Sequence, residues 1–129
     1  ILPEAPRPDS IPGVLLRTKT TTDTWLSAGV RDGVAFMVEG RDVYRPLTPD
    51  EGWNALYFEA PDNIEAGGHL WAENKAQWAF KPAVVQASYG DGIVIGFVSD
   101  PTFRAALDGA NVVFLNAVLR GPGHTARLR

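Results

Sequence analysis

Few side chains in this sequence of 129 residues have the spacing that catalysis or metal binding requires. His69 and Glu73 are four residues apart, so on a helix they would share a face and together could bind a metal ion. The segment departs from the His-Glu-x-x-His pattern, and Gly67 and Gly68 immediately before it disfavour a regular helix. The other histidine, His124, is distant in sequence, whereas a catalytic zinc ion usually takes three protein ligands. We therefore predict a solvated turn histidine and no metal site in this chain.

Nucleophilic and acid–base catalysis have equally little support. The sequence has no cysteine, which excludes a thiolate nucleophile and a disulfide framework. The candidate serines all lie outside the pattern Gly-x-Ser-x-Gly: Ser10, Ser27, Ser88 and Ser99. The adjacent acids Asp50 and Glu51 stand between a proline and a glycine, which is typical of a solvated turn. We predict no catalytic residue.

Aromatic side chains are the best candidates for binding, because a rigid ring offers a large contact area with a polar edge. Four of them could line a groove for a glycan or a peptide: Trp53, Tyr57, Trp71 and Trp78. The alternative is that these rings pack in the core and at its rim. Asp100 and Arg104 could anchor a ligand, but a local ion pair that braces the turn is the simpler interpretation.

Composition limits the partners. A formal net charge of −3 leaves no basic surplus for nucleic acid or an anionic membrane. No apolar run approaches the roughly 18 residues that would span a bilayer, so we predict no membrane insertion. A chain of this length can bury one hydrophobic core, so we predict a single domain. Because the sequence begins with isoleucine, we expect it to be a piece of a longer product.

These side chains must be positioned by a domain that we predict over residues 14–121. Repeated prolines make residues 1–13 a linker or an arm, and residues 122–129 are predicted to be a flexible basic tail. Short runs of β-branched and aromatic residues between turn signals predict strands near 14–20, 34–39, 55–60, 83–89 and 93–98. Gly90-Asp91-Gly92 predicts a tight hairpin through positive φ at Asp-Gly. The last strand is apolar on both faces, so we expect it to be central and covered on both sides.

Two helices are predicted after the hairpin. Asp100 and Pro101 are typical of a helix start, so a short helix should run to Leu107. A second helix is predicted over residues 110–120 and should end at Gly121 and Pro122. Its buried stripe is expected to contain Val112, Phe114, Leu115, Val118 and Leu119.

Several segments, in order, carry a resemblance to a known family. They are Gly68–Asn74, Lys81-Pro82, Ala83–Val85, Gly92–Phe97, Asp100–Arg104 and Phe114–Leu119, with a less distinctive front half at Ile11–Leu15, Thr20–Trp25 and Ala28-Gly29. The chain resembles, over residues 11–121, the C-terminal region of large bacterial zinc carboxypeptidase-like proteins. In those proteins a class I glutamine amidotransferase-like domain follows the peptidase domain. The family often has a histidine in the front segment, where this sequence has Asp23-Thr24-Trp25.

The resemblance implies an α/β fold, tending to α+β in this fragment. We expect a mixed, partly antiparallel sheet of about five strands, packed by a short helix and a C-terminal helix. The zinc ligands and catalytic glutamate of the family would lie upstream of Ile1, in a peptidase domain of the same polypeptide. The missing cysteine removes the residue that glutamine hydrolysis requires. Asp100, Arg104 and Asn116 would then be structural residues of the motif.

Two functions from different classes follow. In the first, the chain is a non-catalytic accessory domain of a secreted or periplasmic zinc carboxypeptidase-like hydrolase, with a structural role or a role in contacting substrate or cell envelope. Zinc would belong to the upstream peptidase domain, which would be a partner, and the extracellular or periplasmic location is implied by the resemblance. In the second, the chain is a free-standing, aromatic-lined module that binds a glycan or a peptide.

Overall fold

The part of the chain that the structure describes folds as one curled antiparallel sheet with two α-helices. A computed structural model describes residues 8–21, 24–31 and 33–124, and within them every strand pairing is antiparallel. The strands are β1 (Ile11–Thr20), β2 (Ala35–Gly40), β3 (Trp53–Phe58), β4 (Glu65–Gly67), β5 (Pro82–Tyr89) and β6 (Gly92–Phe97), and the helices are α1 (Ala72–Trp78) and α2 (Asp108–Arg120). The order across the sheet is β2-β1-β3-β5-β6, with β4 also paired to β1. The described helices are all too short or too polar to cross a membrane.

The general class, an α/β fold with five or six strands, is confirmed, but the expected mixed sheet is wrong, because every described pairing is antiparallel. All five predicted strands are present, within three residues of their predicted bounds, and the structure adds the short strand β4. β1 joins the two parts of the sheet: it pairs with β2 from Ile11 to Arg17, then with β3 from Thr18 to Thr20. A strand that changes neighbours along its length lets the sheet curl around its own core.

The first strand begins three residues before the predicted start of the domain at residue 14. β1 begins at Ile11, which is 2% exposed and pairs with Gly40. The register shifts between Ile11 and Val14, where Pro12 has no N–H to donate and Gly13 adopts a φ of 124°. Residues 1–7 lie outside the described residues, as do residues 125–129 of the predicted tail.

The hairpin is confirmed, but the expected place of β6 is wrong. The positive φ of the turn lies at Gly90 (56°), and Gly92 is already the first residue of β6. Among the described strands β6 is last in the order, and the side chain of Val94 is 54% exposed. β6 is therefore an edge strand and not a central one, although it has apolar residues on both faces.

The predicted helix from Asp100 to Leu107 is wrong. The Asp100 carboxylate accepts hydrogen bonds from Thr102, at 2.8 Å from the backbone N–H and 2.7 Å from the hydroxyl, which makes a local turn. A 3₁₀ turn follows at Phe103–Ala105, with Arg104 and Ala105 at positive φ. The side-chain bonds of Asp100 compete with helix formation here.

The predicted C-terminal helix is confirmed as α2, but its predicted buried stripe is wrong. Leu115, Val118 and Leu119 are 51%, 53% and 74% exposed, while Ala110 and Val113 are fully buried. Small residues at the start of α2 let it approach the core closely, since a Cβ placed on Gly109 would lie 3.2 Å from the side chain of Val34. Because α2 is apolar nearly all round, its pattern does not distinguish the inner face from the outer one.

The core lies inside the curl, and α1 closes part of it. Trp78 of α1 packs edge-on against Phe58, with ring centroids 5.5 Å apart. The largest fully buried side chains share apolar character and come from both parts of the sheet: Trp78, Phe36, Phe58, Ile11, Leu16, Leu26, Leu56, Ile64, Val14, Val38, Val84 and Val113. This continuous core makes the sheet a rigid support for the surface side chains described below.

Candidate binding cleft

Two adjoining depressions lie on either side of Tyr57, and together they are called the Tyr57 cleft. The first has a volume of about 500 Å³ and is lined by Thr21, Leu47, Pro49, Gly52, Trp53, Asn54 and Tyr57. The second has a volume of about 540 Å³ and is lined by Lys19, Thr20, Thr21, Tyr57, Phe58, Glu59, Ala60, Asn63 and Phe80. Both volumes lie within the range of small-ligand sites in proteins.

The middle of the sheet positions the rings of the cleft. Tyr57 lies on β3, which pairs with Lys19 of β1 on one side and with Pro82 of β5 on the other. Trp53 is the first residue of β3 and is 52% exposed. The register of β3 shifts between Asn54 and Leu56, which is typical of a bulge that redirects neighbouring side chains.

Phe80 supplies the third ring, and the sequence analysis missed it. It follows α1, is 63% exposed, and has a φ of 61°, which is rare for a bulky residue. The backbone is held there because the N–H of Phe80 donates to the carbonyl oxygen of Phe58 at 3.1 Å. A strained residue that presents its ring to solvent is a feature of functional sites. No pattern in the sequence gives this φ.

The wall formed by Leu47 and Pro49 is fixed to β3. Asn54 is nearly buried, and its side-chain amide bonds Leu47 twice, accepting from the N–H at 2.9 Å and donating to the carbonyl at 2.8 Å. Gly52 allows a close approach to β5, since a Cβ there would lie 2.3 Å from the carbonyl oxygen of Gln86. The cleft is therefore formed by the folded chain before any ligand binds.

An ion pair braces the same loop from outside. Arg45 donates from Nη1 to Oε2 of Glu51 at 2.7 Å and from Nη2 to Oε1 of the same carboxylate. Oε2 also accepts from the N–H of Thr48 at 2.9 Å. The hydrogen bond from Arg45, supported by that from Thr48, lowers the pKa of Glu51 to about 2. Asp50 and Glu51 thus lie in a turn, with Glu51 occupied as a structural acceptor.

The rim of the cleft carries polar groups of different kinds. Lys19 and Glu59 bring a cation and an anion, and Asn63 brings an amide that can donate and accept. The Thr21 hydroxyl already donates to the carbonyl oxygens of Asn54 and Ala55, at 2.8 and 3.1 Å, which leaves it able to accept. The cleft thus combines exposed rings with both donors and acceptors.

The four predicted binding residues do not form one site. Trp53 and Tyr57 line the cleft together. Trp71, 60% exposed, precedes α1 and lies edge-on to His69, with centroids 4.4 Å apart, outside both depressions. Trp78 is 1% exposed and belongs to the core, so it cannot contact a surface ligand. Side-chain type alone did not separate the surface rings from the buried one.

The residues of the predicted structural motif make separate contacts. Asn116 donates from Nδ2 to the carbonyl oxygens of Leu26 and Ala28, at 2.9 and 2.8 Å, which ties α2 to the 3₁₀ turn Trp25–Ser27. The Asp100 carboxylate bonds Thr102, which lowers the pKa of Asp100. The Arg104 guanidinium lies 5.3 Å from the ring centroid of Phe103. The Asp100–Arg104 ion pair considered from the sequence is replaced by these two contacts.

His69 and Glu73 do not share a helix face, because α1 begins only at Ala72. Within residues 8–21, 24–31 and 33–124, no group of three or more His, Cys, Asp or Glu side chains could hold a metal ion. Comparisons with known protein families, with curated proteins and with solved structures found no match.

Proposed function

We propose that this chain is a non-catalytic accessory domain that binds a glycan through the Tyr57 cleft. The observation that supports this function is the grouping of Trp53, Tyr57 and Phe80 beside a polar rim. Exposed rings stack on the apolar C–H face of a sugar, while its hydroxyl groups both donate and accept hydrogen bonds. The rim offers partners of both kinds through Lys19 and Glu59.

A glycan suits this cleft better than an extended peptide does. Peptides that bind along a sheet commonly add a strand to a free edge. At Tyr57, β3 is paired on both sides, to Lys19 and to Pro82, so the floor of the cleft has no free strand edge. A ligand must therefore be recognised through rings and side chains, which is how sugar rings would be held.

The glycan proposal is tested by titrating the chain with soluble oligosaccharides of N-acetylglucosamine, oligosaccharides of glucose and solubilised peptidoglycan fragments. We expect tryptophan fluorescence to change with at least one of them. Trp53→Ala should weaken that binding by roughly tenfold, the size of one lost ring contact. Calorimetry on the variant separates loss of binding from loss of the fluorescent reporter.

Trp71→Ala is the matched control, since Trp71 has a similar exposure to Trp53 but lies outside the cleft. It should bind as the unmodified chain does. A flat calorimetric response to all three classes of oligosaccharide contradicts glycan binding. Binding to free peptides and to none of these glycans would show that the cleft is a peptide-binding site. An equal loss in both variants places the site elsewhere.

The context of this domain is the second part of the proposal. Between Gly68 and Leu119, the segments that resemble the family follow one another in the same order as in the family. This order supports the proposal that the chain is the C-terminal part of an amidotransferase-like domain in a secreted or periplasmic zinc carboxypeptidase-like protein. Zinc and the catalytic glutamate would belong to the upstream peptidase domain. The role of this chain would be to hold that enzyme at its substrate or at the cell envelope.

Sequencing the coding region upstream of Ile1 tests this context. A signal peptide and a His-x-x-Glu pair followed by a later histidine are expected there. The isolated chain should not hydrolyse C-terminal peptide substrates with or without added zinc, and turnover that follows its zinc content would contradict the accessory role. A start codon just upstream would favour the second candidate, a free-standing glycan-binding module that uses the same cleft.

A further inference from the structure

Among the described residues, the outer edge of β6 pairs with no other strand. The N–H of Val98 donates to the carbonyl oxygen of Ala83, and Tyr89 pairs with Gly92 across the two-residue turn. Even-numbered residues of β6 therefore exchange hydrogen bonds with β5. Ile93, Ile95 and Phe97 direct their N–H and C=O groups outward, and among the described strands β6 has no second neighbour.

An apolar flank of α2 lies beside this edge. α2 packs over β6, since Phe114 lies edge-on to Phe97 with centroids 6.0 Å apart. Its opposite flank is held over β5, where Asn116 bonds Leu26 and Trp25 donates to the side chain of Gln86 at 3.2 Å. At 100° per residue, Leu115 and Val118 lie on the flank away from Asn116.

That flank therefore faces the same direction as the free edge of β6. Leu115 and Val118 are each more than half exposed along it. The outward edge of β6, together with Phe114 and these two side chains, is called the β6–α2 surface. An open depression of about 430 Å³ lies between the two elements, lined by Ile93, Ile95, Ala117 and the residues around Gly121.

β6 lacks the sequence features and the bulges that protect many edge strands. β6 contains no proline, no lysine and no charged residue, and its register with β5 is regular throughout. α2 has no charged residue between Gly109 and Leu119. An uncharged, mainly aliphatic surface favours contact with another apolar protein surface over contact with a small polar ligand.

We infer that the β6–α2 surface binds a second copy of this chain. Two copies can pair β6 with β6 in antiparallel register about a twofold axis at Ile95, so that Ile93 of one lies opposite Phe97 of the other. All outward N–H and C=O groups of the edge are then satisfied by identical groups of the other copy. The same axis brings the two α2 flanks together. Since neither flank carries a charged residue between Gly109 and Leu119, these parts of the two identical surfaces meet without repulsion.

Sedimentation analysis of the 129-residue chain at about 100 μM tests this interface and should give twice the mass of one chain. Val118→Lys should raise the dissociation constant at least tenfold, because identical lysines then face each other across the axis. Val118 is more than half exposed, so the fold should persist, as circular dichroism can verify. Leu115→Lys, on the same flank and 51% exposed, gives a second variant for the same measurement.

Trp71→Lys adds the same charge at an exposed ring outside this surface and should leave the dimer intact. Amide hydrogen exchange then distinguishes a dimer in which the two β6 strands are hydrogen-bonded from a dimer that forms through side-chain contacts alone. Ile93, Ile95 and Phe97 should become protected in the dimer, whereas Val94 is protected in either state by β5. A monomer at this concentration overturns the inference. So does a dimer with unprotected odd-numbered amides, or one that Val118→Lys does not weaken.

Discussion

The Tyr57 cleft and the β6–α2 surface both expose apolar side chains, but their surroundings differ. The cleft holds single rings among Lys19, Glu59 and Asn63, and its floor is a strand paired on both sides. The β6–α2 surface has aliphatic side chains beside an unpaired strand edge, with no charge in either element's central part. The first arrangement suits a small polar ligand with an apolar face. The second suits a protein surface that supplies backbone partners.

This contrast shows that exposed apolar area by itself does not indicate the kind of partner. Val118 is as exposed as Trp53, at 53% and 52%, yet the ring at Trp53 is the better candidate for ligand contact. What distinguishes the two regions is the hydrogen-bonding capacity around the apolar groups. Changes that damage one region and spare the other therefore test the distinction directly.

The largest effect should come from Gly52→Ala, which breaks the cleft alone. The new Cβ would lie 2.3 Å from the carbonyl oxygen of Gln86 and 3.0 Å from the side chain of Leu47, so the loop must leave β5. We expect a loss of about 3 kcal/mol in the free energy of unfolding. The glycan response should disappear, while association through β6 should survive in the folded fraction.

Gly40→Ala is the control for Gly52→Ala, because Gly40 also has a positive φ (79°) but no atom within 4 Å of the new Cβ. Backbone strain alone should cost about 1 kcal/mol there. Chemical denaturation of both variants measures the difference. Equal losses would mean that the close approach at Gln86 relaxes easily, and that the cleft wall is not fixed as described.

The next largest effect concerns the two faces of α2. Val113→Ala removes two buried methyl groups and should cost about 2 kcal/mol. Leu115→Ala, on the outer face, should cost under about 0.5 kcal/mol when unfolding is measured on dilute, monomeric protein. At high concentration Leu115→Ala should instead weaken the dimer. A larger loss for Leu115→Ala in dilute protein would mean that the inner and outer faces are exchanged.

A smaller effect should separate the two glycines of the hairpin that leads into β6. Gly90→Val places a β-branched residue at a φ of 56° and should cost about 1–2 kcal/mol. Gly92→Val should cost less, because Gly92 is in the strand and a Cβ there meets only an ordinary contact at 3.6 Å. Thermal unfolding of the two variants measures this order. The reverse order would place the turn one or two residues later.

The sequence predicted the parts of the fold that local patterns determine. β-branched runs gave the five main strands, and Gly121-Pro122 gave the end of α2, because these signals act on the backbone directly. The position of β6 in the sheet and the inner face of α2 depend on which other elements pack there. Both have apolar residues on all sides, so periodicity left them undetermined.

The candidate site was predicted only in part for the same reason. Trp53 and Tyr57 were identified by ring type, but Trp78 has the same ring and is buried against Phe58. Phe80 was missed because its exposure follows from a positive φ at the end of α1. Only the packing of α1 on β3 separates these rings into core and surface.

The smallest predicted effect is the pH dependence of the loop that supports the cleft. In the folded protein Arg45 lowers the pKa of Glu51 from its usual 4.5 to about 2. A carboxyl group with a lowered folded-state pKa stabilises the fold above its unfolded-state pKa, and this contribution is lost as the pH falls from about 4.5 to about 2. Glu51→Gln should remove that contribution. The difference in stability between the unmodified chain and the variant should therefore be greatest above pH 5 and shrink toward pH 2.

Because the side chains of Arg45 and Glu51 are both exposed, the difference should be small and should decrease further in high salt. Glu65 and Asp100, whose pKa values are also lowered, titrate alike in both proteins and cancel in the comparison. A difference that stays constant from pH 6 to pH 2 would show that Glu51 supports the loop through packing and not through its charge. In that case the cleft should keep its glycan response at low pH.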